Sequence, residues 1–211
     1  MKPVHTLGLT FLLAAACMGL TVLPASATSM LHRNIVDLIE ISELIVAGTV
    51  VNISDGFENG VPYTEVTVEV EESLKGNVPD TYSFRQFGLL EPRSVGNGLR
   101  YLGVSPDGWP RFEVGEEVLL FLYEPAKETG LRTTVGLFQG KFHKTNQQYE
   151  NGIRNRGLFQ SVSVRAGLLN PAEERMLEAK GGPVRAATLI SFVRKAVRGR
   201  WVEERKLQHV D

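Results

Sequence analysis

Val118 to Tyr123, VLLFLY, is six residues with no polar interruption and no alternation. Val114-Gly115-Glu116 reads as a turn in front of it. A strand places successive side chains on opposite faces, so this one is apolar on both sides and must be covered on both sides. One cover is the core of a barrel or sandwich. The other has to come from a separate element of the chain.

The partner strands follow from period and composition. LIVAGTVVNIS, Leu44 to Ser54, is rich in β-branched residues and too short for a buried helix; DGFENG is the turn that closes it. YTEVTVEVEESLKG, Tyr63 to Gly76, pairs back as a hairpin. In it Val66, Val68 and Val70 share one face, and Glu65, Glu69 and Glu71 share the other. Continued alternation would carry Glu72 into the core, so the strand is expected to end or bulge near Glu71, with Leu74 returning inward. DTYSFRQFG supplies a third strand, with Tyr82 and Phe84 on one face and Ser83 and Arg85 on the other. Arg85 is placed to lie across from one of the glutamates. TTVGLFQGKFHKT reads as a strand bent at Gly136 and Gly140, and YENGIRNRG as a small hairpin with Asn151-Gly152 at its tip.

Helical period appears at the two ends. In SMLHRNIVDLIEISE, Leu31, Ile35, Leu38 and Ile39 recur at helical spacing. Asn170-Pro171-Ala172-Glu173 is a capping signal for a short helix ending at Gly181-Gly182. Pro183 is expected to open another, with Ala187, Ile190, Val193, Val197 and Trp201 along one face. That face is the natural cover for the outer side of VLLFLY. Arg194, Lys195 and Arg198 then point to solvent or to acidic neighbours.

The N-terminus is read apart from the fold. MKPVHT is followed by an apolar run from Leu7 to Leu23 and then by Pro24-Ala25-Ser26-Ala27. This is the pattern of a secretory signal, with Ala25 and Ala27 as the small residues before a cut and Thr28 as the first mature residue. A retained membrane anchor is the alternative, at the short limit for a span. Cys17 in LLAAAC loosely resembles a lipoprotein box, which offers a lipidated form. With the cut after Ala27 the mature chain has no cysteine, hence no disulfide. The organisation expected is a signal peptide at 1–27, a β domain with its N-terminal helix at 28–166, and a helical extension at 167–211. The product is exported, periplasmic or extracellular.

Charge divides the same way. Residues 28–140 hold 8 Lys+Arg against 17 Asp+Glu, and residues 141–211 hold 14 against 7. Such halves attract each other within the molecule, or present two faces to partners. An acidic strand region repels phosphates and disfavours nucleic acid.

Sites of chemistry are sparse. His32, His143 and His209 are widely separated, and no metalloprotease, serine-nucleophile or phosphate-loop motif occurs. Glutamates two apart on a strand are about 7 Å from each other, far for a shared proton or one metal ion. Glu116 is read as an anchor for its own turn. No cofactor, metal or catalytic residue is expected. The long Gly- and Pro-rich section from Gly88 to Arg111 stands out, because loops of this length in compact domains are functional or disordered. Its Tyr101, Trp109 and Arg111 are the candidate partner contacts, aromatic and Arg side chains being the usual interface anchors. The competing reading is that they plug the end of the β domain.

ELIVAGTVVNI, YTEVTVEVEESLKG, FEVGEEVLLFLYE and VGLFQGKF, in that order, with LISFVRKAV near the C-terminus, resemble the recurring segments of a group of small secreted bacterial proteins. Those proteins are similar in fold to the OB-type barrel of the tissue inhibitors of metalloproteinases and netrin-like modules. The resemblance implies a mainly β protein with flanking helices: a small closed antiparallel OB-like barrel, with the N-terminal helix and C-terminal amphipathic helices packed outside. The inhibitor mechanism does not transfer, because the N-terminal cysteine that chelates the target's zinc is replaced by Thr28. The function expected is a non-enzymatic binding module for a protein or cell-envelope component. The alternative is a protease inhibitor, or protease-associated factor, acting through a loop.

Overall fold

The computed structural model describes residues 31–210, apart from 97, 102–104 and 107. The signal-peptide reading, with Ala25, Ala27 and Thr28, and the lipidation alternative at Cys17 lie outside the described residues. Among the described residues the chain is mainly β, with three α-helices and one large antiparallel sheet.

β1 (Leu44–Glu58) and β2 (Val61–Lys75) form a long hairpin. Its turn is tighter than expected. Asp55 to Glu58 extend the strand, because Asn59 and Gly60 (φ 52° and 78°) alone supply the left-handed pair that a two-residue hairpin needs. Val66 and Val68 are buried, as the alternation requires, whereas Val70 is half-buried. A bulge does fall at Glu71: Ala47 pairs with Glu72 and Gly48 with Val70. The strand continues through a second bulge at Leu74, which returns to the core as expected. β3 (Thr81–Phe87) pairs with β2 and sets Arg85 opposite Glu65, Nε donating to the carboxylate at 2.6 Å.

β6 (Glu117–Leu122) runs along the other side of β1. Between β3 and β6 the chain forms a small hairpin, β4 (Arg93–Gly96) and β5 (Leu99–Tyr101). Beyond β6, Thr133 to Gly140 is not the strand expected. It makes one bridge, Thr134 to Leu122, and a 3-10 turn at Leu137–Gln139, since Gly136 and Leu137 are left-handed (φ 64° and 58°). β7 (Lys141–Thr145) and β8 (Gln148–Asn151) then turn at Asn146-Gln147, both left-handed, and not at Asn151-Gly152. The Asn151 side chain is used otherwise: it donates to Gln139 O and accepts from the Ile153 and Asn155 amides.

α1 (Ile35–Ile41) starts at Asn34, whose side chain accepts from the Val36 and Asp37 amides. Leu31 precedes the helix and is 66% exposed, so it is not part of the expected apolar face. β9 (Val162–Val164) pairs with β11 (Leu207–His209) in a separate ribbon. α2 (Pro171–Leu177) has the Asn170–Glu173 capping box that its sequence announces. Pro183 does not open a helix. Val184–Arg185 first pairs with β8 as β10, and α3 (Ala186–Arg198) begins after it. The buried face is accordingly rotated to Ala186, Leu189, Phe192, Val193 and Ala196, while Ala187 is exposed. Trp201 lies beyond the helix, edge-on to Phe192.

The main sheet has the order β10-β8-β7-β6-β1-β2-β3. Its ladder does not close into the expected barrel. The segment after β6 makes backbone bonds on both sides: Tyr123 N–H donates to Thr133 O (3.0 Å), and Arg132 N–H donates to Arg85 O of β3 (2.8 Å).

β6 answers the demand its sequence makes. Val118, Leu120 and Leu122 enter one core with Val46, Val50, Val66, Val68, Phe84 and Phe112. Leu119 and Phe121 enter another with Ile45, Phe142 and the buried faces of α1 and α3. The opposite charges of the two halves meet within the molecule: Lys141 pairs with Glu116, Lys144 with Glu117, and Arg194 with Glu72.

One of these carboxylates, Glu72, and a second, Glu173 on α2, link stability to pH. The Arg194 guanidinium, donating through Nε and Nη2 at 2.6 and 2.7 Å, holds the Glu72 carboxyl below its ordinary range despite the opposing effect of burial. Burial pushes Glu173 up, but hydrogen bonds from Lys195, the Asn170 amide and Ser191 outweigh it and hold it low. A depressed folded pKa stabilises above the unfolded value of about 4.3 and is lost as pH falls through the folded one. Glu72→Gln with Glu173→Gln is therefore expected to lower the urea midpoint at about pH 6. The gap to wild type should narrow by about pH 3. A gap that stays constant with pH would contradict this.

Candidate functional site

The inward face of the β2–β3 pair is apolar until its last rung. Val66, Val68 and Phe84 are buried, but the next inward positions are Thr64 and Gln86, which are direct cross-strand partners. Both are buried polar residues, and such groups are tolerated when hydrogen-bonded. Thr64 Oγ1 donates to Gly88 O at 2.9 Å. Gln86 Nε2 donates to Pro110 O at 2.9 Å, which fixes the orientation of the amide because a carbonyl can only accept. Gln86 Oε1 is left buried with no partner. An orphaned buried acceptor costs about 1–3 kcal/mol, so it calls for an explanation.

The described residues between Gly88 and Glu113 include those that pack at this polar rung. Gly88 is left-handed (φ 109°), and a Cβ there would lie 2.7 Å from Ser105 Cα, so glycine lets the two backbones approach. Ser105 N–H donates to Leu89 O at 3.3 Å. The Leu90 amide donates to Asp55 Oδ2 at 2.9 Å, and Arg93 pairs with the same carboxylate, anchoring the β4–β5 hairpin to β1. At the far end Lys141 Nζ donates to Arg111 O (2.5 Å) and pairs with Glu116 (2.6 Å). Glu116 also accepts from the Glu113 amide at 3.3 Å, anchoring the turn as its sequence suggests.

A pocket of about 190 Å³ results, lined by Ile53, Leu89, Leu90, Phe112, Thr64, Gln86, Ser105, Arg111 and Glu113. Phe112 is its aromatic wall, edge-on to Phe84 in the core behind. Leu90 at the pocket is 48% exposed, a large apolar side chain left in water.

The three residues singled out from the sequence all belong to this segment, in different settings. Arg111 lines the pocket and is exposed. Tyr101 sits edge-on to Phe57 at the β1–β2 hairpin, with centroids 5.4 Å apart. Trp109 is tilted against Phe87 at 6.3 Å. Both aromatics are half-buried, so each combines packing with an open face. Sequence reasoning missed Gln86, although a signal was present: it continues the inward series Tyr82, Phe84, Gln86 with a polar residue.

Each histidine has its own setting. His32 Nε2 lies 2.9 Å from Arg156 O, His209 Nδ1 lies 2.8 Å from Asn34 Nδ2, and His143 is on β7. Among the described residues no three His, Cys, Asp or Glu side chains gather at metal-binding spacing. Comparison of the chain with protein-family models, with curated proteins and with solved structures gave no match.

Proposed function

We propose that the chain is an exported, non-enzymatic binding module that engages a protein or cell-envelope partner through the face built by residues 88–113. The observation that carries this reading is the set of side chains this segment leaves open: Leu90 is 48% exposed and Arg111 is exposed at a pocket, and Tyr101 and Trp109 are half-buried. Large apolar, aromatic and Arg side chains left open on one segment are the usual anchors of an interface. We also read the curled sheet as an OB-like barrel whose ring is completed by residues 131–135. The backbone bonds of Arg132 to β3 and of Thr133 to Tyr123 support that reading. So does the resemblance of the strand motifs to secreted barrel proteins.

Immobilised mature protein, challenged with envelope and medium extracts, is expected to retain a partner of defined mass. Tyr101→Ala with Trp109→Ala should weaken that capture by about thirtyfold, the size of an interface hot spot. Because both rings also pack, Arg111→Ala is the companion variant: its side chain is exposed, and only its backbone oxygen holds Lys141. Unchanged capture by both variants, with the melting temperature preserved, would overturn the reading.

A further inference from the structure

Trp201 is buried against Phe192, and the chain on either side of it turns on exposed charge. Arg200 and Arg205 stand on these turns, both exposed and both left-handed (φ 49° and 53°). Glycine adopts that backbone freely, whereas a larger residue does so at a cost. The hydrogen bonds that build the turns use backbone atoms only: Arg200 N–H donates to Val197 O, Glu204 N–H to Arg200 O, and Arg205 N–H to Val202 O. Among the described residues neither guanidinium forms an ion pair or a hydrogen bond. The fold gains nothing from either side chain and carries an unfavourable backbone under each, a pattern that marks function.

More cations collect beside them. Arg165 N–H donates to Lys206 O at 2.8 Å, bringing the end of β9 to the second turn. Arg198 closes α3 and is exposed. Lys206 pairs with Glu204 and holds its carboxyl below the ordinary range, and Arg200 and Arg165 add to the effect through space. Glu203, the other carboxylate of these turns, shares a small pocket with Lys75. Arg165, Arg198, Arg200 and Arg205 are the charge left over.

What the cluster lacks narrows its partner. None of the exposed large apolar side chains among the described residues lies between Arg198 and Lys206. A protein interface centres on such anchors, and single-stranded nucleic acid needs exposed aromatic rings for its bases to stack on. A bilayer with anionic headgroups asks only for clustered cations. The apolar run from Leu7 to Leu23 brings the chain to a membrane whether it is read as secretory signal or as anchor.

We propose that Arg165, Arg198, Arg200 and Arg205 dock the molecule on an anionic lipid surface, their guanidinium groups pairing with headgroup phosphates. This contact is separate from residues 88–113 and does not depend on their role.

Cosedimentation of the mature protein with vesicles is the test. One set is phosphatidylcholine alone; the other is an equal mixture of phosphatidylcholine and phosphatidylglycerol. Binding is expected only to the anionic set, and it should fall as salt is raised. Each cation at such a surface contributes about fivefold, so Arg200→Gly with Arg205→Gly should weaken binding roughly twenty-five-fold. Glycine suits both left-handed turns, so the melting temperature of this variant should hold or rise. Arg200→Lys with Arg205→Lys keeps the charge and should keep the affinity. Equal binding to the two vesicle sets, or undiminished binding by the glycine variant, would overturn the assignment. Retention on duplex DNA, or capture of an acidic protein, without binding to the anionic vesicles would overturn it as well and give the cluster to another polyanion.

Discussion

Phe121→Ala is expected to cost about 3–5 kcal/mol of unfolding free energy, read from urea denaturation. The side chain is fully buried, with its ring centroid 5.6 Å from that of Phe142. It lies on the side of β6 that packs against α1 and α3. Removing the ring leaves a cavity between sheet and helices that only a shift of whole elements could refill, and interiors packed at crystal density relax only in part. The effect bears on architecture as well as stability. If α3 were an appended decoration, the loss would be a fraction of this, because the outer face of β6 would already be partly wet. A cost near 1 kcal/mol would contradict a two-sided core.

Gly48→Ala is the second large effect. Gly48 is opposite Val70, next to the bulge at Glu71. Its backbone angles are ordinary, so the requirement is one of space. A Cβ would stand 2.1 Å from Glu69 O and 2.9 Å from Val68 Cγ1. The first is a backbone atom in the middle of a hairpin and cannot rotate away. Overpacking of this kind costs about 1–3 kcal/mol, and here the upper end or more is expected because the strand itself must move. For a chain of this size that is a fall of roughly 6–12 °C in melting temperature. An unchanged melting temperature would show that the bulge gives way freely.

The two-sided strand was legible because it is a statement about neighbours: VLLFLY needs cover on both faces whatever supplies it. Arg85 opposite Glu65, the Asn170–Glu173 capping box and the bulge at Glu71 were legible for a related reason, since each is fixed by short-range spacing. The misplaced features depend on competition between local signals. Asn151-Gly152 is a good turn pair, but Asn146-Gln147 takes the turn because Asn151 is committed to caging the Gln139 and Asn155 backbone. Pro183 could open a helix, but Val184–Arg185 is captured as an edge strand by β8, which delays α3 and rotates its buried face. The candidate site was legible as a segment and not as a pocket. Tyr101, Trp109 and Arg111 drew notice by residue type. Gln86 did not, because its burial is decided by a segment later in the chain, whose Pro110 O accepts from its Nε2.

The central claim, that this face is where the molecule meets its partner, is tested most directly by site-specific photocrosslinking in living cells. A photoreactive benzoylphenylalanine replaces Arg111 in one strain and Glu174, exposed on α2, in another. Adducts of one defined mass at position 111, and none at position 174, are the result expected. Adducts at position 174 alone, or at neither position, would contradict the account.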